Sequence, residues 1–232
     1  SNSSACPNST EMCLCTTNVI KPYNITYKLI CTKKNDNDFF FSLKEILKIN
    51  YFYSFVIING KNFSEISANT FSNLSIKSLD LKFNKIFKID EKAFESIKFL
   101  ENIDLSGNFL TDLSFLKIIP TLTNLDLYFN LIEIIDRSIF ANLKNLKNLY
   151  LNGNKLYNID KLDYFNHLNI LSLSSNKFQI LTIYLTNLIE LNLGNNLLES
   201  IKILNSSKLQ RLRLNQNKLE IKTNLRLNYS GY

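Results

Sequence analysis

Residues 122–132 read LTNLDLYFNLI, and residues 146–156 read LKNLYLNGNKL. Both stretches carry Leu at their first, fourth and sixth places, Asn at the ninth and an aliphatic residue at the eleventh. Leu at alternate places fits a short strand with one buried face, because successive side chains of a strand point to opposite sides. The template recurs with its Asn at Asn84, Asn108, Asn130, Asn154, Asn176, Asn196 and Asn217. Successive copies are therefore 24, 22, 24, 22, 20 and 21 residues apart. A degenerate earlier copy runs Tyr53, Val56, Ile58, Lys61, Phe63 and has Lys where the Asn belongs.

Seven copies at a period of 20–24 residues identify a leucine-rich repeat. One such unit cannot bury its own apolar face, so neighbouring coils must stack. The expected fold is an α/β solenoid: a horseshoe with one short strand per coil, joined into a parallel concave sheet. The Asn side chain sits where the chain leaves the strand, where its amide can bond backbone groups of adjacent coils. Phe71, Phe94, Phe140 and Phe165 fall on the return limbs and are expected to stack as a buried spine. The chain divides into a cysteine-rich N-terminal cap (residues 1–52), the repeats (53–222) and a tail (223–232). In the cap, Ser42 and Glu45 match a capping box and predict a short helix through about Lys48 that buries residues 39–41. In the tail, Leu225 and Leu227 read either as an irregular closing strand or as the cut end of a longer ectodomain.

Composition and cysteine usage set the compartment. The 232 residues are 45% hydrophobic, which excludes a disordered chain. No apolar run approaches the ~20 residues needed to cross a bilayer. The sequence shows no signal peptide, and its start reads as trimmed rather than cytosolic. All four cysteines, Cys6, Cys13, Cys15 and Cys31, lie near the start, as in a local disulfide framework. Zinc is the poorer reading, since Cys13 and Cys15 are too closely spaced and the only His, His167, is remote. Seven Asn-x-Ser/Thr sequons, at Asn2, Asn8, Asn24, Asn62, Asn73, Asn205 and Asn228, agree with a secreted or cell-surface glycoprotein. None falls on a predicted strand. Sugars on Asn62, Asn73 and Asn205 would shield the convex side and leave the concave face open.

These residues resemble the extracellular leucine-rich-repeat proteins with a cysteine-rich N-terminal cap, over nearly the whole chain. Cys6 followed by Pro7, then Cys13, Cys15 and Cys31, is similar to the caps of small leucine-rich proteoglycans, Slit domains and Nogo-type receptors. The wide gap between Cys6 and Cys13 is more similar to arthropod secreted repeat proteins, among them the family of the non-catalytic subunit of a shrimp luciferase. The resemblance implies pairing of Cys6 with Cys15 and of Cys13 with Cys31; spacing alone leaves all three pairings open. It also implies protein binding, often on the concave face, with catalysis rare.

Three outward-facing columns cross the predicted sheet. Ser78, Asn102, Asn124, Asn148, Ile170, Glu190 and Arg211 form the first. Asp80, Asp104, Asp126, Tyr150, Ser172, Asn192 and Arg213 form the second, and Lys82, Ser106, Tyr128, Asn152, Ser174, Gly194 and Asn215 the third. Three candidate protein-binding patches emerge. The acidic stack Asp80, Asp104, Asp126 reads either as a site for a basic group or weak cation, or as a structural feature of these repeats. Tyr128 and Tyr150, with Phe129 and Phe83 beside them, form an aromatic anchor unless the two Phe tuck into the core edge. Arg211 and Arg213 are suited to carboxylate, sulfate or phosphate, or are simply solvated.

No metalloprotease, nucleophile-elbow or phosphate-loop motif is present, and the Asp stack has no acid/base partner. The chain therefore reads as a non-enzyme without cofactor or metal, and His167 as a surface loop residue. The leading expectation is an extracellular protein-binding module, either a receptor or adhesion ectodomain or a secreted recognition protein. The alternative is a secreted scaffold, such as a matrix component or the stabilising subunit of a complex. Homo-oligomers suit the exposed aromatics. The net charge of +7 permits nucleic acid, but the columns mix signs, so that partner ranks low.

Overall fold

The computed structural model describes residues 13–21, 24–31, 51–159, 165–204 and 206–220. In chain order the first strands are β1 (Cys13–Lys21), β2 (Asn24–Cys31), β3 (Phe52–Ile57), β4 (Glu65–Ile66), β5 (Ser75–Asp80), β6 (Lys88–Ile89) and β7 (Asn102–Asp104). They continue as β8 (Asn124–Asp126), β9 (Asn148–Tyr150), β10 (Ile170–Ser172), β11 (Ile180–Tyr184), β12 (Glu190–Asn192), β13 (Ser200–Leu204) and β14 (Arg211–Arg213). Ten of them form one sheet in the order β1-β2-β3-β5-β7-β8-β9-β10-β12-β14. Only the β1–β2 hairpin is antiparallel; every later pairing in this sheet is parallel, one strand per coil. The expected columns are reproduced residue for residue. Asp80, Asp104, Asp126, Tyr150, Ser172, Asn192 and Arg213 are successive partners across seven strands.

The template Leu and Ile side chains fill the interior, and most have no exposed surface. Where the chain leaves each strand its backbone groups lack a strand partner, and the Asn ladder supplies one. The Asn130 amide donates to the carbonyls of Leu127 in its own coil (3.1 Å) and Leu105 in the preceding one (3.0 Å). Its Oδ1 accepts from the Leu110 N–H at 3.0 Å. Asn154, Asn176 and Asn196 repeat this three-point pattern. Lys61, at the degenerate copy's Asn position, is buried, and its N–H donates to Asn84 Oδ1.

The return limbs carry the Phe spine. Phe71 and Phe94 stack at 5.4 Å, and Phe140 meets Phe165 edge-on at 5.1 Å. Phe115 also joins, 5.8 Å from Phe94, on a short 3-10 helix at Ser114–Ile118. The next coil returns through α1 (Arg137–Phe140), started by Asp136 accepting from the Ser138 N–H. In the later, shorter coils the return limb is a strand, and β11 pairs with β13 in parallel.

At the N-terminal end, Cys13 and Cys31 lie directly opposite in the hairpin and are joined by a disulfide. The Cys6–Cys15 bond, the capping-box helix, the sequons at Asn2, Asn8, Asn205 and Asn228 and the Leu225–Leu227 strand lie outside the described residues. One sequon expectation is corrected: Asn24 opens β2 and so lies on a strand. That hairpin lacks the repeat template, so the periodicity does not reveal it.

Candidate protein-binding face

The concave sheet holds a depression of about 580 Å³ over β2 to β9. Phe55, Ile57 and Tyr150 supply apolar walls, and Asp80, Asp104 and Asp126 cross it in a row. Each Asp is held by its own backbone. The N–H groups of Lys82, Ser106 and Tyr128 donate to the carboxylates two residues earlier at 3.1, 2.9 and 2.9 Å. Asn192 accepts from the Gly194 N–H in the same way. This position thus favours a short side-chain acceptor that closes the turn after the strand.

The three carboxylates differ in counter-charge. Lys82 Nζ lies 3.2 Å from Asp80 and 3.8 Å from Asp104, taking the place of a cation between them. The hydrogen bond and charge of Asp80 hold the Lys82 pKa above its ordinary value. Asp126 makes no ion pair among the described residues and feels Lys82 only at a distance: burial, reinforced by Asp104, pushes its carboxyl above the usual range. Tyr150 beside it is raised by burial and then by the charges of Asp126 and Glu190. The preceding column forms a side-chain ladder in which Asn102 donates to Ser78, Asn124 to Asn102 and Asn148 to Asn124. Among the described residues, no group of three His, Cys, Asp or Glu side chains could hold a metal ion.

The other two patches are rearranged. Phe129 does not tuck into the core: it takes a left-handed backbone, φ +50°, and is 54% exposed. Phe83 does the same, at φ +56°. The residue before the Asn is left-handed in all seven coils, and this turn swings both rings out to the rim. There Phe83 lies over Gly107 and Phe129 over Gly153, where a Cβ would meet the rings at 2.2 and 2.8 Å. Tyr128 packs on Phe129 with ring centres 4.0 Å apart, so the pair sits at the rim, while Tyr150 lines the depression.

Arg211 and Arg213 lie three strands beyond Tyr150 and are not free cations. Arg211 Nε donates to Glu190 Oε2 at 2.8 Å, and Arg213 bonds the other oxygen. The Arg211 hydrogen bond foremost holds the Glu190 carboxyl below its usual range. His167 lies in a turn, as a loop residue, but is half-buried, and its Nε2 is buried without a hydrogen-bond partner. Burial and then Lys147 lower its pKa.

A leucine rich repeat family model matches residues 120–178. The fold is a leucine-rich-repeat solenoid. It is similar to the solved leucine-rich repeat domain of APL1B, with a TM-score of 0.67, 25% identity and coverage of 81% of this chain and 55% of that one. An internalin (inlF) from Listeria monocytogenes aligns with a TM-score of 0.59 at 22% identity, covering 81% of this chain and 54% of that one. A chain of the LRIM1/APL1C complex gives 0.57 at 22% identity, covering 72% and 40%. The chain therefore spans about half the length of the first solved chains it matches. No curated protein matches the sequence. No helix among the described residues is long and apolar enough to cross a membrane.

Proposed function

We propose that this chain is an extracellular protein-binding module whose concave face takes a basic group of a partner protein. The observation that supports this reading is Asp126, a carboxylate with no ion pair among the described residues, beside Tyr150 in an apolar depression. A guanidinium or ammonium there supplies the missing counter-charge while its stem covers the ring. Tyr128 and Phe129 flank the approach, and Arg211 and Arg213, which share the single carboxylate of Glu190 and so keep one excess positive charge, form a secondary contact for an acidic rim residue. The Cys13–Cys31 bond suits an oxidising compartment. Asn62 and Asn73 are exposed, with φ of +62° at each, away from the depression. No catalytic role and no cofactor is assigned.

The second reading is a secreted scaffold. It is favoured by the backbone bonds of the Asp column, which explain these residues without a ligand. Capture from extracellular fluid separates the two, comparing wild type with the Tyr128→Ala/Tyr150→Ala and Asp126→Asn variants, each shown folded by its thermal melt. A partner held by wild type and lost by both variants supports the concave module. A partner held equally by all three moves the contact elsewhere and favours the scaffold.

A further inference from the structure

The turn that follows each strand builds a lateral flank of the solenoid. Phe109, Leu131, Lys155, Lys177, Leu197 and Lys218 each follow a template Asn. Each donates its N–H to the preceding coil, at 2.7 to 3.0 Å, so this row keeps strict one-coil spacing. The flank exposes far more apolar surface than a solvated loop needs. Phe83, Phe87, Phe109, Phe129, Ile134 and Tyr157, from four successive coils, are between 47% and 64% exposed. At 150–250 Å² per aromatic ring system, half-exposed side chains give about 600 Å² of apolar surface, at the top of the range for the largest patch on a monomer. With the stems of neighbouring Lys, it approaches the roughly 800 Å² each partner contributes to a standard interface.

We infer that a second copy of this chain covers the flank, in a two-fold dimer centred on Phe109. Three observations select this occupant. The coils are evenly spaced, so a two-fold axis at Phe109 sets Phe83 against Phe129 of the second copy and Phe109 against itself. Charge follows the same symmetry: Lys85 and Lys88, one coil before Phe109, come near Glu133 of the second copy, one coil after it. Glu133 has only a loose in-chain pair, 3.8 Å from Lys155 with both side chains largely in water, so it can turn to the new partner. Local charge also nearly cancels, with Lys85, Lys88 and Lys155 against Asp112 and Glu133, whereas the whole chain carries +7. Two copies of a cationic chain approach most readily where that repulsion is absent. The Asn62 sequon borders the flank at its N-terminal end and leaves Phe83 to Tyr157 without a sequon.

Sedimentation velocity of the glycosylated full chain from about 1 to 100 µM tests this, a range set by typical weak-to-moderate affinities. Wild type is expected to pass from monomer to dimer. Lys88→Glu weakens the dimer about tenfold, and adding Glu133→Lys restores it, because each reversed charge then faces the other across the axis. Phe109→Asn creates a sequon with Thr111, and a sugar there holds the chain monomeric. All these positions are exposed, and a thermal melt matching wild type shows that each variant remains folded. A wild type monomeric throughout overturns the inference, as does a dimer indifferent to Phe109→Asn. A monomer that instead binds lipid vesicles through these Phe also overturns it, in favour of a membrane surface.

Discussion

Replacing Asn130 by Ala tests the ladder that organises the fold. Asn130 is 4% exposed and makes three bonds to the backbone at 3.0 to 3.1 Å and a longer one to the Tyr128 carbonyl at 3.4 Å. Its loss is uneven. The Leu105 carbonyl still receives the Asn108 amide, and the Leu127 carbonyl still receives that of Asn154. The Leu110 N–H is left with nothing. A buried orphan donor costs about 1–3 kcal/mol, and two weakened carbonyls add about 0.5–1 kcal/mol each, so the expected loss is about 3 kcal/mol. For a chain of this size that lowers the melting point by about 6–12 °C. Asn217 makes the same kind of bonds at the far end but is only partly buried, so water replaces them and Asn217→Ala should cost under about 1 kcal/mol. Urea titration followed by circular dichroism gives both values. Equal losses at the two positions, or a loss below about 1 kcal/mol at Asn130, would refute the orphan-donor reasoning.

Gly107→Ala should destabilise by about 1–3 kcal/mol, chiefly through strain at its φ of +66°, with a smaller packing cost because the exposed Phe83 ring it would meet can swing aside. Adding Phe83→Ala should recover the packing part only, which a double-mutant cycle of thermal melts measures. Replacing Cys13 and Cys31 by Ser frees a separation of 18 residues and should cost about 3 kcal/mol, with hydrogen exchange rising first in the β1–β2 hairpin. Glu190 has a lowered carboxyl, so its contribution is present above its unfolded pKa and fades as pH falls through the lower folded value. Acid melts of Glu190→Gln should lack that small step; an unchanged acid limb would contradict the Arg211 pairing. Asp126 runs the other way: burial raises its carboxyl, so a basic partner binds the ionised form and releases a proton, and calorimetric affinity should rise as pH climbs through that raised pKa and level off above it.

The concave columns were legible because the strand period is two and the coils repeat in register, so Asp80, Asp104 and Asp126 had to be neighbours. The Glu190 clamp on Arg211 was present in the same columns, since Glu190 stands directly opposite Arg211. Phe115 escaped because its coil is two residues shorter, and the ring sits seven residues after the Asn rather than ten, as in Phe94 and Phe140. Pleating alone left Phe129 either facing out or tucked into the core edge, because it does not reveal a left-handed residue, which is rare for so bulky a side chain. The flank escaped for a different reason: only sheet-facing columns were aligned. Alternation over Ile180–Tyr184 and Ser200–Leu204 also marks the convex strands.

The change of return limb has a geometric consequence. Strands in the concave sheet are about 4.8 Å apart whatever the coil contains. On the convex side the spacing follows the width of the limb, about 10 Å for a helix and about 4.8 Å for a strand. A coil returning through α1 is therefore a wedge, while the coils joined along five residues of β11 and β13 are flat slabs; β4 and β6 pair over two residues only before turns take over. Wedges bend a stack and slabs extend it straight. The 580 Å³ depression spans β2 to β9 and ends where the slabs begin. Two or three residues more or fewer in a limb would thus retune the radius of the groove, and with it the girth of what fits inside, without touching one residue on the concave face.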